Sequence, residues 1–86
     1  MDYFVYILKS QKTKRFYIGY TTNLEIRLKE HNVGMTRSTK PFRPWKIIYF
    51  EKFLDKNKAF KREWHLKHPA GYLEKLEIIK KNGGFA

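Results

Sequence analysis

Four side chains near the start of this sequence have the chemistry to handle a phosphodiester: the phenols of Tyr6 and Tyr17, the guanidinium of Arg27 and the imidazole of His31. A lone carboxylate, Glu63, can join them from a later segment. Hydrolysis of such an ester needs an activated water, charge stabilisation on the phosphoryl oxygens and help for the departing oxygen. A phenol can take the proton from water once its pKa falls well below the free value of about 10, and neighbouring cations push it that way. The planar fork of Arg27 fits a phosphate in a way that lysine cannot copy. His31 is of a type that titrates near neutral pH, so it can assist proton transfer or bond the phosphate. Each group also has a plainer use. The tyrosines can be core rings with hydroxyls bonded to backbone, Arg27 can pair with Glu30 or Glu25, His31 can offset the dipole at a helix C-terminus, and Glu63 can pair with Lys67 four residues on.

These residues need elements to bring them together. Tyr3 to Lys9 (YFVYILK) is apolar on both faces and rich in aromatic and β-branched types, which reads as a central strand with Phe4, Tyr6 and Leu8 on one face. A polar turn over 10–14 and a second strand, Arg15 to Tyr20 (RFYIGY), complete an antiparallel hairpin. A turn centred near Gln11 or Lys12 would set Tyr6 opposite Tyr17 or within one residue of it. Thr22 and Glu25 form a capping-box signature, so a helix should start near Asn23 and stop at Gly34, with Leu24 and Leu28 buried. Arg27 and His31, four apart, share another face of it.

A basic loop over 34–44 follows, in which Pro41 and Pro44 argue against regular structure. Trp45 to Phe53 reads as a third strand. Asp55 caps a second helix through Lys67, with Phe60 and Trp64 as its apolar pair. Pro69 ends that helix and opens a third over about Ala70 to Lys81, with Tyr72, Leu73, Leu76 and Ile79 at helical spacing and Gly83 and Gly84 as its stop. At 86 residues the chain should fold as one domain, 1–86. Seven Phe, six Tyr and two Trp must then supply much of the buried area.

Nineteen Lys and Arg against eight Asp and Glu give a net charge of +11, which points to a polyanionic partner. Nucleic acid is favoured over an anionic membrane, because no helix pairs a broad apolar face with a lysine-rich one. Lys9, Lys12, Lys14, Arg15, Arg37, Lys40, Arg43 and Lys46 fall by sequence in and beside the two loops and are the candidate backbone contacts. The absence of Cys excludes disulfides, thiolate zinc sites and a cysteine nucleophile, and fits a reducing compartment. The apolar run near the N-terminus is too short for a signal-peptide core or a membrane span, so a soluble cytoplasmic protein is expected. His65 and His68, three apart without a nearby acid, make a poor metal pair.

The order of these features resembles the GIY-YIG nuclease superfamily over nearly the whole chain. Tyr17-Ile18-Gly19 matches the second half of the family signature, and Phe4-Val5-Tyr6 keeps the tyrosine of the first. Asn23-Leu24-Glu25 with Arg27-Leu28 and His31-Asn32 is similar to the family's helix motif, and Lys61-Arg62-Glu63 with Lys67 to the segment carrying its metal-binding glutamate. Two departures are the missing Gly and Ile of the first motif and Tyr20 where several members have Lys. The resemblance implies an α+β fold, a short three-stranded antiparallel sheet flanked by helices in the order β-β-α-β-α-α. It also implies phosphodiester hydrolysis with one divalent ion, Mg²⁺ or Mn²⁺, held by Glu63. Tyr6 and Tyr17 both remain candidates for the base, and Gly19 is expected to serve the architecture of the site. The expected activity is a metal-dependent endonuclease acting on DNA rather than RNA and directed by structure or backbone, since no sequence-reading motif is present. A noncatalytic nucleic-acid-binding module is the alternative, and a protein-binding adaptor a weaker one.

Overall fold

The computed structural model describes residues 1–83. Its elements run β1 (Tyr3–Ser10), β2 (Phe16–Thr21), α1 (Leu24–Val33), β3 (Trp45–Phe53), α2 (Lys56–Lys67) and α3 (Tyr72–Lys81). The α+β class and the order β-β-α-β-α-α are as expected. The three strands form one antiparallel sheet in the order β2-β1-β3, so the aromatic first strand is central and β2 is an edge. Gly84, expected to help close α3, lies outside the described residues. Among the described residues no helix is long and apolar enough to cross a membrane.

Alternation along β1 divides the core into two layers. Val5 and Ile7 point to one face with Ile18, where Ala59 and Leu66 of α2 and Ile79 of α3 cover them. Tyr6 and Leu8 point to the other with Trp45, under Leu24 and Leu28 of α1 and beside Tyr17. Because β1 is buried on both faces it needs no polar alternation, which explains its continuous apolar run.

The hairpin register differs from the expected one. Tyr6 lies opposite Gly19, and Tyr17 lies opposite Leu8. The cause is Ser10. Its amide donates to the Arg15 carbonyl at 3.0 Å, while its hydroxyl oxygen accepts from the amides of Lys12 and Thr13 at 3.1 and 3.0 Å. That local serine turn widens the loop to four residues and moves its centre toward Thr13.

Helix α1 is capped by Asn23, not Thr22: the Asn23 side-chain oxygen accepts from the Ile26 amide at 3.1 Å. Gly34 ends it at φ 88°, a left-handed conformation that suits glycine. Asp55 caps α2 by accepting from the Asn57 amide at 2.8 Å. Pro41 does not exclude local order, because Lys40–Phe42 forms a 3₁₀ turn that tolerates proline in its first positions. A second such turn, Pro69–Gly71, delays the start of α3 to Tyr72.

Helix α1 is tied to β3 by Asn32. Its side-chain amide donates to the Trp45 carbonyl at 3.0 Å and accepts from the Trp45 amide at 2.6 Å, replacing a missing strand partner.

The apolar pair assigned to α2 is a correction. Phe60 and Trp64 are 58% and 52% exposed, whereas Ala59 and Leu66 are fully buried. Polar neighbours fill the rest of the inward face: Arg62 is drawn in by bonds to Glu51 at 2.8 and 2.9 Å and to Glu74 at 2.5 Å. Tyr72 and Leu73 of α3 are likewise exposed, and Ile78 and Ile79 provide that helix's contact with the core.

Candidate active site

The site is built on the edge strand. Tyr6 extends its ring from β1 across Gly19 of β2, where a Cβ would stand only 2.5 Å from the Tyr6 Cζ and 2.9 Å from Cε2 of Tyr17. Glycine at position 19 is therefore what admits the Tyr6 phenol. Tyr17, two residues back along β2, places its ring centroid 6.4 Å from that of Tyr6. The two phenols are diagonal rather than opposed, yet they remain neighbours.

From α1, Arg27 donates through Nε to the Tyr6 hydroxyl oxygen at 3.3 Å and through Nη1 to Glu30 Oε1 at 3.0 Å. Nη2 has no hydrogen-bond partner among the described residues, and the side chain is 31% exposed. Arg27 is thus anchored by two of its nitrogens and presents the third. Pairing with Glu30 does occur, but it orients the guanidinium without consuming it. The Arg27 pKa is raised, although burial opposes this, by its bonds to Tyr6 and Glu30.

His31 lies one turn further on and is fully buried. Its Nε2 meets the Tyr6 hydroxyl at 2.9 Å and its Nδ1 meets Thr39 Oγ1 at 2.8 Å. The Thr39 hydroxyl donates to the Thr36 carbonyl at 3.2 Å, so its oxygen must accept from Nδ1–H. Nε2 is then the unprotonated nitrogen, and Tyr6 donates to it. Burial, with the nearby Arg27 charge, lowers the His31 pKa to about 4, in keeping with a neutral ring. The proton order is therefore fixed from Arg27 to Tyr6, His31, Thr39 and the Thr36 carbonyl. Two expectations for His31 are corrected. A buried neutral ring neither contacts a phosphate directly nor offsets the helix dipole.

Tyr6 is also corrected. It is 1% exposed, and burial pushes its hydroxyl up to about 12 despite the bond and charge of Arg27. Desolvation outweighs the cation, so Tyr6 holds its proton. Tyr17 is only half-buried and faces an open pocket with Lys67 and Lys75. The Lys67 ammonium stands 5.6 Å from the Tyr17 ring centroid and 3.2 Å from Glu63 Oε2. Glu63 thereby reaches the β2 edge from α2, close enough for its charge to act on Tyr6. The expected surface pair with Lys67 does form, and it links Glu63 to Tyr17.

Among the described residues no three His, Cys, Asp or Glu side chains gather into a metal cluster. Among the described residues the carboxylates linked to the two tyrosines are Glu63 and Glu30, the latter engaged by Arg27. A single carboxylate, 17% exposed, suits an ion such as Mg²⁺ that keeps several waters and takes other ligands from phosphate. His65 and His68 are engaged elsewhere, with Glu74 and with the Trp64 carbonyl.

The cations divide into groups. Lys12, Lys40 and Arg43 line an open cleft of about 540 Å³ with Asn32, Pro41 and Pro44. Arg15 stacks on Phe42 beside this loop, 4.3 Å from the ring centroid. Lys9 and Lys46 stand directly opposite each other on β1 and β3, a like-charge pairing that a sheet normally avoids. Lys14 and Arg37 are exposed on the two loops. Thr39 and Lys67 were not singled out as site residues in the sequence. Lys67 carried a signal in its spacing from Glu63, whereas Thr39 comes from an irregular loop and carried none.

Residues 2–75 match the family model described as the GIY-YIG catalytic domain. The UPF0213 protein YsiG of Lactococcus lactis is 42% identical over 80 residues, covering 92% of this chain and 76% of that one. The UPF0213 protein SH2523 of Staphylococcus haemolyticus is 42% identical over 79 residues, covering 91% and 94% respectively. Among solved structures, the solution NMR structure of the UPF0213 protein BH0048 from Bacillus halodurans aligns with a TM-score of 0.58 at 28% identity, over 96% of this chain and 88% of that one.

Proposed function

This chain belongs to the GIY-YIG family, and on that premise we propose that it is a divalent-metal-dependent endonuclease that hydrolyses phosphodiester bonds in DNA, guided by backbone and shape rather than base sequence. One observation carries the reading: the Tyr6–Arg27 bond and the Tyr17–Lys67–Glu63 chain meet at one sheet edge.

Tyr17 is the base. It is the more open of the two phenols, and it lines the pocket at the β2 edge that Lys67 shares. It takes a proton from the water whose oxygen attacks phosphorus as the bridging P–O bond breaks. Arg27 stabilises the nonbridging oxygens through Nη2. Tyr6, held by His31 and Thr39, fixes the guanidinium. Glu63 would hold a single Mg²⁺ or Mn²⁺, and when bound that ion supplies Lewis-acid stabilisation of the phosphate and the leaving oxygen. The +11 charge and the Lys12, Lys40 and Arg43 cleft support binding to a nucleic-acid backbone.

The Glu63–Lys67 ion pair favours one other reading, a binding module whose acid serves only its helix. Purified protein incubated with flapped, branched and single-stranded DNA plus Mg²⁺ or Mn²⁺ should yield cut products. Glu63→Gln should abolish cutting and leave DNA binding intact, and Tyr17→Phe should slow cutting by roughly 10²- to 10⁴-fold, as loss of a general base does. Undiminished cutting by Glu63→Gln rejects the metal assignment. No metal-dependent product on any substrate leaves the binding module.

A further inference from the structure

We propose that Trp64, backed by His68 and flanked by Phe60, is a stacking platform for an unpaired nucleobase of the substrate, so that the site prefers single-stranded or frayed DNA to intact duplex. The inference rests on the nucleic-acid reading above.

Position is the first argument. An α-helix turns about 100° per residue, so Glu63, Lys67, Phe60 and Trp64 follow one another around a single flank of α2. Lys67 lies over Tyr17, which places this flank at the β2 edge. The other flank, with Arg62 and His65, is engaged by Glu51 and Glu74. Phe60 therefore adjoins the Lys67 flank, and Trp64 stands next to Phe60 on the solvent side of the helix.

The second argument is preorganisation. Trp64 is 52% exposed and Phe60 58%, although Phe is among the types most often buried and Trp is highly buried on average. The Trp64 and His68 rings are stacked at 3.9 Å with 15° between their planes, and a 2.6 Å hydrogen bond joins His68 Nδ1 to the Trp64 carbonyl. A flat two-ring stack is already built, and a third ring can add to it.

Charge selects the occupant. Between Lys56 and Lys67 the helix has Lys56, Lys58, Lys61, Arg62 and Lys67 against one acid, Glu63. A second copy of a +11 chain would be repelled from such a surface. A nucleotide satisfies both parts, its base on the indole and its phosphates on the lysines. A nucleotide inside a duplex has both faces covered by its neighbours, which gives the preference for unpaired strands.

The test uses the full chain in EDTA, so that binding is read without cutting. Fluorescence polarisation of a labelled oligothymidylate should show Trp64→Ala weakening affinity roughly 5- to 100-fold, from the usual worth of one stacked base. Binding to a blunt duplex should change less than about 3-fold, and Trp64→Phe should recover part of the loss. The indole emission of the wild type should be quenched by oligothymidylate, and that quench should vanish in Trp64→Phe, where only buried Trp45 remains. Equal losses on both DNAs, or no quench, overturn the proposal. So does sedimentation showing a dimer that Trp64→Ala dissociates. Because no metal is present, these outcomes are separate from those of Glu63→Gln, which judge catalysis.

Discussion

Lowering the pH from 7.5 to 5 should destabilise this protein through His31, before its carboxylates titrate. In the fold the imidazole is buried and neutral with a pKa of about 4, against an ordinary 6.5 when unfolded. Between those values the unfolded chain binds a proton that the native chain does not. The His31 contribution is therefore complete above pH 6.5 and is lost as pH falls through 4. Integrating this linkage gives a loss of ~2 kcal/mol between pH 7.5 and 5 and ~3 kcal/mol by pH 4. The groups facing the ring, Tyr6, Tyr17, Arg27 and Thr39, include no carboxylate, and the acid whose charge acts on it is Glu30, the Arg27 partner. Glu74, held below its usual range by Arg62, acts in the same direction but only at lower pH. Urea unfolding at both pH values, followed by tryptophan emission, should show this loss in the wild type and little of it in His31→Gln. As a direct check, nitrogen-detected NMR should find His31 in the Nδ1–H tautomer down to nearly pH 4. A ring titrating near 6.5, or an unchanged pH dependence in the variant, would refute the burial and hydrogen-bond argument.

Gly19→Ala should lower thermal stability by ~1 to 3 kcal/mol, as overpacking does, since the added carbon would overlap the Tyr6 phenol. Calorimetry checks the stability, and loss of cutting should exceed what unfolding explains, because the Tyr6 contact with Arg27 is displaced. Arg62→Ala should cost ~1 to 2 kcal/mol in urea unfolding by leaving Glu51, itself 20% exposed, without its two guanidinium bonds. Cutting per folded molecule should be unchanged, because that network lies on the flank of α2 away from Tyr17.

Strands, helices and their order were legible because each has a local signature. Continuous apolar sequence marked β1 as central, and Gly34 and Asp55 closed or opened helices by short-range hydrogen bonds. Register was not legible, because it depends on a serine hydroxyl gathering two amides in a turn without glycine. The inward face of α2 was misread for a different reason. Hydrophobicity selected Phe60 and Trp64, whereas packing selected small Ala59 and branched Leu66, with Arg62 drawn inward by Glu51. At the site, Arg27 bonds the Tyr6 hydroxyl and Glu63 pairs with Lys67 beside Tyr17. The protonation of Tyr6 and His31 was not foreseen, because it depends on burial, which overrides the charges that a sequence displays.

The clasp between Asn32 and Trp45 makes the intervening basic segment a closed ring pinned at its base. Enlarging a closed ring is inexpensive, ~0.6 kcal/mol for each doubling of length. Thr39 divides that freedom unequally, because its grip on His31 holds one point of the ring. Residues inserted on the Arg43 side would reshape the cationic rim while leaving the buried relay undisturbed, so evolution or an engineer could vary the reach of that rim independently of the Tyr6 and His31 pair.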